Sequence, residues 1–243
     1  MKRFRADLHI HTALSPCSTA EMTPPAIVRA ARLKGLRMIA ICDHNATGNV
    51  AAVQEAAGRD LTVIAGMEIT TAEEVHVIGL FPDVESACEA GDAVKATLPE
   101  VDPTRRKLGE QLLMNAGGDI VGEETKMLAA ASQLDLRQAV DLIKGHNGLA
   151  IPAHVDRPSF GVIGQLGFVP TDVRFDAIEL SAAGTVGKQA ELASLGLPIL
   201  VSSDSHFLSE VGEGATRFEM EEPTFDELVS ALRGIGGRSC GNA

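Results

Sequence analysis

The stretch F-R-A-D-L-H-I-H-T, residues 4–12, is the part of the sequence from which the fold can be inferred. Residues 4–10 have the length and apolar content of a short β-strand, and the strand ends in two histidines separated by one residue. Residues i and i+2 of a strand point to the same side, so His9 and His11 direct two imidazoles into one space. The chain therefore begins with a strand that presents a paired ligand set.

The same arrangement recurs along the chain, with a histidine or an acid at or near the end of an apolar run. The candidates are Asp43 and His44 after residues 37–42, Glu68 after 61–65, His76 inside 75–80, His154 after 149–153, and Asp204 and His206 after 197–202. A lone histidine in an apolar strand is more often a core residue. Six of seven histidines placed in this way instead favour a metal site, because parallel barrel strands end on one face.

Helical segments alternate with these strands and indicate an α/β protein. The predicted helices outside the middle of the chain are 24–34, 50–57, 186–195 and 225–233, and the further strands are 175–180 and 216–220. About seven such units suggest a closed barrel of parallel strands rather than an open sheet, and 243 residues suit one barrel domain spanning 1–243. The glycine-rich residues 234–243 are expected to fray.

The middle of the chain interrupts this alternation. Residues 82–148 contain no convincing strand and are predicted to form a helical insertion, with helices at 85–97, 105–115, 123–131 and 136–144. The insertion either caps a site on the active face or thickens the wall of the domain. The capping arrangement is favoured, because long excursions in barrels often lie on that face.

Composition limits the class of partner. Lys plus Arg is 21 and Asp plus Glu is 33, a net charge of −12, so no long nucleic acid is expected as a partner. Trp and Tyr are absent, which leaves Phe81, Phe160, Phe168 or Phe207 to stack on a base. No membrane span or signal peptide is apparent, and four cysteines without a C-x-x-C pair favour the cytoplasm.

Six motifs together resemble those of the PHP (polymerase and histidinol phosphatase) family. They are D-L-H-I-H-T at 7–12, C-D-H-N at 42–45, G-M-E-I at 66–69, V-H-V-I-G at 75–79, P-A-H at 152–154 and S-D-S-H at 203–206. The resemblance implies a distorted (β/α)7 TIM-like barrel, two or three divalent ions (Mn, Zn or Fe) and hydrolysis of phosphoesters.

The resemblance also implies a set of metal ligands. His9, His11, Glu68 and Asp204 would hold the first ion. Glu68 would bridge to a second ion held by His76 and His154, while His44 and His206 would hold a third. Cys17 stands where many members carry a histidine or an aspartate, and it is either a soft ligand or a small loop thiol.

The leading hypothesis is hydrolysis of a small phosphomonoester by a metal-bridged hydroxide. Asp43, His154 and His206 are the candidate catalytic residues, with Asp43 orienting an imidazole and either histidine supplying a proton. Arg157 and Arg217 are candidate phosphate contacts, because arginine forks suit phosphate. A nucleotide monophosphate or a 3′,5′-bisphosphate is the favoured substrate, and histidinol phosphate is the next.

Two other functions remain open. Amidohydrolase barrels share H-x-H and a late aspartate, but they usually carry a bridging carboxylated lysine, and no lysine follows a strand at the matching place. A non-catalytic metal-binding module would usually have lost ligands that this chain keeps. The sequence predicts no oligomeric state.

Overall fold

A curled seven-stranded sheet forms the centre of the fold in the computed structural model, which describes residues 1–101, 109–184 and 192–242. The strands are β1 (Lys2–Ile10), β2 (Met38–Ile41), β3 (Thr62–Thr70), β4 (His76–Phe81), β5 (Leu112–Met114), β6 (Ile120–Glu123), β7 (Leu149–Pro152), β8 (Ile178–Ser181), β9 (Ile199–Ser202), β10 (Thr216–Met220) and β11 (Ser239–Asn242). The large sheet has the order β11-β10-β1-β2-β3-β4-β7, β5 pairs with β6, and β8 pairs with β9.

Six α-helices accompany the strands in the described residues. They are α1 (Pro24–Leu33), α2 (Val50–Ala57), α3 (Val84–Lys95), α4 (Leu136–Gly145), α5 (Val162–Leu166) and α6 (Phe225–Leu232). Local sequence explains their ends. Two prolines open α1, Asp83 accepts a hydrogen bond from the Ser86 N–H at the start of α3, and Asp135 forms a capping box with Gln138 on α4.

The strand directions follow the prediction for β1, β2 and β3, which are mutually parallel. The expectation of an all-parallel barrel is wrong for β4, which runs antiparallel to both β3 and β7. The reason is the short connection between β3 and β4, where the Thr71 N–H donates to the carbonyl of Val75. A parallel crossover needs a dozen or more residues, so this turn permits only a hairpin.

The β8–β9 ribbon lies between the ends of β7 and β1. Asp176 N–H donates to the Ala150 carbonyl, and Val155 N–H donates to the Glu179 carbonyl, both at 2.9 Å. On the other side, His11 N–H donates to the Ser205 carbonyl at 3.0 Å. These bonds bring the segment after β9 against the end of β1.

The C-terminal strands extend the sheet on its other side. β10 pairs antiparallel with β1, and β11 pairs antiparallel with β10. The expected fraying of residues 234–242 is therefore wrong. Gly236 and Gly237 adopt positive φ angles of 62° and 77°, which reverse the chain so that β11 can return along β10.

The segment 82–148 is only partly helical. α3 and α4 confirm two of its predicted helices, but residues 112–123 form a β-hairpin. The Asn115 side chain accepts hydrogen bonds from the N–H groups of Gly117 and Asp119, and this local turn replaces a helix. Residues 124–131 contain no helix, and residues 105–108 of the predicted 105–115 helix lie outside the described residues.

The second half of the chain contains one further difference. The predicted helix at 186–195 is described only from residue 192, where Ala193–Leu195 forms a single 3-10 turn. The rest of that prediction lies outside the described residues.

Apolar packing inside the curled sheet supports the carboxyl ends of its strands. Leu8, Ile64 and Ile151 come from three different strands and join one buried cluster, to which α6 contributes Leu228 and Leu232. In the described part of the chain, no helix has the length and apolar character needed to cross a membrane.

Candidate metal centre

The structure brings together all eight histidine and acidic residues that the resemblance implied as ligands. They are His9, His11, His44, Glu68, His76, His154, Asp204 and His206. The hairpin between β3 and β4 explains the position of His76, because it places the start of β4 beside the end of β3. The predicted convergence at strand ends therefore holds for a sheet of mixed direction.

The carboxylate of Glu68 lies at the centre of this cluster and is fully buried. Its Oε2 lies 3.0 Å from Nδ1 of His44 and 3.3 Å from Nε2 of His11. Its Oε1 lies 2.8 Å from Nδ1 of His76 and 3.2 Å from Nε2 of His154. The two oxygens therefore face two different sets of imidazoles, which is the geometry of a bridging carboxylate.

Three groups of potential ligand atoms can be distinguished, and within each group the atoms lie within 4.8 Å of one another. The groups are His9, His11, Glu68 and Asp204; His44, Glu68 and His76; and His11, His44 and His206. The first group matches the ligand set implied for the first ion. The second differs from the implied set by including His44, while His154 approaches the same Glu68 oxygen as His76.

The donor set fits divalent cations. Glu68 Oε2, His44 Nδ1 and His76 Nδ1 are buried and close together, yet they make no hydrogen bond. The Nε2 atoms of His9 and His11 face each other at 3.1 Å. Buried polar atoms normally have partners, and lone pairs that converge in this way are satisfied by a shared cation. Imidazole and carboxylate together suit zinc, manganese or iron.

Electrostatics within the cluster favour ionised acids and the charged forms of His9, His11 and His44. Burial would raise the pKa of Glu68, but His76, His9 and His44 hold it well below its usual range. Burial would lower the pKa of His11, but its hydrogen bond with Asp204 and the Glu68 carboxylate raise it to about 9. The carboxylates thus attract positive charge, whether protons or metal ions.

Burial lowers the pKa values of His76 and His206 instead. Burial and the charge of His11 lower the pKa of His206 to about 3, despite the nearby Asp204 carboxylate. Its imidazole is therefore neutral at pH 7, the state that coordinates a metal ion. This protonation state suits a ligand better than the proton donor that the sequence analysis considered.

Asp43 acts on the cluster through Ser15. Asp43 accepts hydrogen bonds from Ser15 Oγ and from the N–H and hydroxyl of Thr12, each at 2.7 Å. Ser15 Oγ in turn lies 2.9 Å from Nδ1 of His11. Since Ser15 gives its proton to Asp43, it accepts from Nδ1 of His11, while Nε2 of His11 faces His9 and Asp204. The geometry matches the orienting role considered for Asp43.

Glu179 is a supporting residue that the sequence analysis missed. Its Oε1 lies 3.0 Å from Nδ1 of His9 and accepts the backbone N–H of His154 at 3.1 Å. The side chain is buried at the end of the sheet, inside the apolar strand β8. A charged residue within a buried strand is the signal that could have identified it.

We expect Glu179→Gln to weaken metal binding about 10- to 100-fold, the usual effect of losing a carboxylate that orients a histidine ligand. Competition with a chromophoric chelator would measure the dissociation constant. Glu219→Gln, an exposed change on β10 opposite Arg3, is the matched control and should leave the constant unchanged. Equal affinity in the two variants would show that Glu179 does not position His9.

The two arginines predicted to contact substrate, and Cys17, lie at different places relative to the ligand cluster. Arg157 is partly exposed and pairs with Asp204 at the rim of the cluster. Arg217 is exposed on β10 opposite Arg5, roughly 13 Å along β1 from His9. Cys17 is exposed and lies outside the three ligand groups.

Two candidate ligands have unusual backbone conformations. His154 and Asp204 have positive φ angles of 28° and 51°, in a region of backbone conformation that residues other than glycine rarely adopt. Such conformations cost on the order of 1–3 kcal/mol and are concentrated at functional sites. Here they turn both side chains toward Glu68 and His11 immediately after their strands end.

Comparison with known proteins identifies related sequences and folds. The chain is 36% identical over 84 residues to the 5′-3′ exoribonuclease Rnm of Escherichia coli strain K12, covering 32% of this chain and 28% of that protein. The chain thus spans less than a third of this relative's length. A protein from Bifidobacterium adolescentis described as a metal-dependent phosphoesterase matches with a TM-score of 0.61 and 20% identity, covering 95% of this chain and 96% of the other.

The lesion-specific endonuclease PfuEndoQ from Pyrococcus furiosus has a similar fold. Its TM-score is 0.79 at 20% identity, and the match covers 98% of this chain and 58% of that one. A further Endonuclease Q structure, with a TM-score of 0.73 and 21% identity, holds a 27-mer duplex with an abasic lesion at its active site. Excluding long nucleic acids on the basis of net charge was wrong, because part of the chain is 36% identical to an exoribonuclease and the Endonuclease Q structures have a similar fold.

Family assignment rests on the sequence as well as the fold. The PHP domain model matches residues 7–147, which is more than half of the chain, and the PHP-associated model matches residues 189–234. The first match contains His9, His11, His44, Glu68 and His76, and the second contains Asp204 and His206. The chain belongs to the PHP domain family.

Proposed function

We propose that this protein is a metal-dependent phosphoesterase that hydrolyses phosphoester bonds of nucleotides or nucleic acids. The observation that carries the proposal is Glu68, a buried carboxylate whose two oxygens face two groups of histidines. Divalent ions held by such groups would activate water and neutralise charge on the phosphoryl oxygens. His9, His11, Glu68 and Asp204 would hold one ion, with Glu68 shared with a second group formed by His44 and His76.

The chain's own residues would prepare the site for an anionic substrate. Glu179 and the Asp43–Ser15 pair fix the orientations of His9 and His11 through their Nδ1 atoms. Arg157 lies at the rim, with 42% of its side chain exposed, and would contact a phosphoryl oxygen as a bidentate donor. These fixed groups lower the cost of organising the site when substrate binds.

We expect Arg157→Ala to raise KM for a phosphoester substrate about tenfold, because one charge-assisted contact to phosphate is worth about 1.5–3 kcal/mol. Arg157→Lys should recover part of the loss, since it keeps the charge without the fork. Steady-state phosphate release would give KM, with Arg217→Ala as the control for an exposed arginine away from the site. An unchanged KM in Arg157→Ala would remove this residue from substrate binding.

Nucleotide chemistry is favoured for the substrate on two grounds. The matched relative is an exoribonuclease, and the Endonuclease Q structures contain the same fold. The preference for a nucleotide monophosphate or 3′,5′-bisphosphate over histidinol phosphate, drawn from the sequence, agrees with nucleotide chemistry. The proposed substrates now also include phosphoesters at the ends and in the interior of nucleic acid strands. The net charge of −12 is compatible with this, since cations at the site would supply local attraction.

The test is release of product from a panel with added Mn²⁺. The panel contains AMP, 3′,5′-bisphosphoadenosine, histidinol phosphate, a 5′-phosphorylated oligoribonucleotide and a DNA duplex with an abasic site. Cleavage of a nucleotide or nucleic acid that disappears in His9→Ala would support the proposal. Silence across the panel, with metal shown bound by elemental analysis, would favour amide hydrolysis or a non-catalytic metal-binding module instead.

We also propose that residues 1–243 form one domain, a distorted (β/α)7 barrel in which residues 82–148 are an insertion. The backbone bonds of the β8–β9 ribbon to β7 and to the end of β1 support closure. Because one domain is proposed, limited proteolysis should release no stable fragment smaller than the whole chain.

All four cysteines are free thiols, which supports a cytoplasmic location.

A further inference from the structure

An exposed aromatic ring lies against the metal centre. The Phe160 ring stacks on the His76 imidazole, with a centroid distance of 4.4 Å and an interplanar angle of 19°. His76 in turn lies 2.8 Å from Glu68, so Phe160 is one side chain removed from the bridging carboxylate. One face of the ring is covered by His76, yet Phe160 remains 40% exposed. Its outer face is therefore open beside the ligands.

The loop holds this ring in a fixed position. Phe160 has a φ of 60°, a left-handed conformation that is unfavourable for a bulky residue. Its carbonyl accepts the His76 N–H at 2.9 Å, which ties the loop to the first residue of β4. A Cβ at Gly161 would lie 2.5 Å from the carbonyl oxygen of Arg157, so the loop is also tightly packed. The backbone strain indicates that this placement serves a purpose beyond covering apolar surface.

The same loop provides a cation on the other side of the centre. Arg157 is three residues before Phe160 and pairs with Asp204, a candidate ligand. A molecule with a phosphoester at the centre could contact Arg157 with its phosphoryl group while a flat ring lies on Phe160. A nucleobase linked through its sugar to a phosphate has this combination of a π-face and an anion.

We propose that Phe160 is the stacking surface for a nucleobase of the substrate, and hence a determinant of specificity for nucleotides over other phosphoesters. The inference rests on the proposed function and specifies the substrate group that the site recognises beside the scissile bond. Base stacking on an aromatic side chain typically strengthens binding about tenfold or more. Because the ring is already fixed, little conformational entropy would be lost on binding.

The absence of Trp and Tyr from the chain gives a direct test. Phe160→Trp introduces the sole indole, whose fluorescence a stacked base would quench. The metal-loaded variant would be titrated with the 5′-methylenephosphonate analogue of AMP, which has a carbon in place of the ester oxygen, and with ribose 5-phosphate. Leu33→Trp, on exposed α1 surface near the opposite end of β1, is the control. We expect saturable quenching in Phe160→Trp with the adenosine analogue only.

Two further variants of Phe160 distinguish nucleobase stacking from simple coverage of the His76 side chain. Phe160→Leu keeps an apolar cover but has no flat ring, whereas Phe160→Tyr keeps the ring. We expect the ratio of affinities for the adenosine analogue and ribose 5-phosphate to fall about tenfold in Phe160→Leu and to be retained in Phe160→Tyr. Isothermal titration would measure both ligands, and circular dichroism would confirm that the variants fold.

The outcomes distinguish this inference from the proposed function. Equal quenching by the two ligands, or an unchanged affinity ratio in Phe160→Leu, would overturn the stacking role even if the enzyme cleaves nucleotides. Base-dependent quenching in a protein that releases no phosphate from any substrate would support the stacking role and contradict the phosphoesterase proposal.

Discussion

Replacing Glu68 with glutamine is expected to reduce phosphoester hydrolysis by about 10³-fold, comparable to the loss of a central electrostatic group in an active site. The amide keeps the size of the side chain but removes the charge that faces the histidines of two ligand groups. An amide oxygen is a poorer bridging ligand than a carboxylate, so we also expect less than half of the wild-type metal content. Elemental analysis and phosphate release would measure the two effects.

The same change tests what the buried charge does for stability. Glu68 has no exposed surface, and its ionised form is held by His76, His9 and His44. Removing one partner of a buried charged network can cost about 3–5 kcal/mol, so circular dichroism must first establish that the variant folds. Glu219→Gln, a change to a partly exposed side chain on β10, provides the comparison. Full metal content and activity in a folded Glu68→Gln protein would contradict the bridging role.

Metal affinity is expected to rise steeply with pH between about 6.5 and 9. In the metal-free protein, the opposing carboxylates raise the pKa values of His11 and His44 to about 9 despite their burial. Both must lose a proton before they coordinate a cation, so the apparent association constant should increase by up to about 100-fold per pH unit. Titrations with Mn²⁺ in buffers of different ionisation enthalpy would count the protons released.

The stability of the metal-free protein should change in the opposite direction. Because their folded pKa values exceed the ordinary value of 6.5, these histidines stabilise the fold fully below pH 6.5, and that stabilisation is lost as pH rises through 9. The difference in thermal midpoint between metal-loaded and chelator-treated protein should therefore widen with pH. The slope of the logarithm of the metal association constant against pH gives the number of protons released on binding, and in His11→Asn this number should fall by one. An unchanged slope would show that the protons come from other groups.

The sequence predicted the site more fully than it predicted the sheet. His9, His11 and His44 could be placed because strand ends follow from local apolar runs and turns. The direction of β4 was missed because its apolar run looks alike in parallel and antiparallel sheets. The five-residue connection formed by residues 71–75 contained the information, since it is too short for a crossover.

Long-range contacts explain the remaining differences. Arg217 lies near Asp204 and His206 in sequence, but β10 turns back along β1 and carries it away from the cluster. Glu179 had no motif of its own, and its role depends on its approach to His9 from a distant strand. The hairpin at 112–123 is instead a local difference, because the helical pattern obscured its Asn–Ala–Gly–Gly turn at residues 115–118. The positions of Arg217 and Glu179 are tertiary arrangements that a linear pattern does not specify.

The distance in sequence between ligands has a consequence for biosynthesis. His9, His11 and Glu68 leave the ribosome early, whereas Asp204, which bonds His11 in the finished protein, is among the last parts of the site to be made. At ~5–20 residues per second, the early ligands wait on the order of ten seconds for the late ones. The full centre therefore forms only after Asp204 and His206 have been made, and until then the incomplete imidazole cluster is exposed to whichever cellular cation is most available.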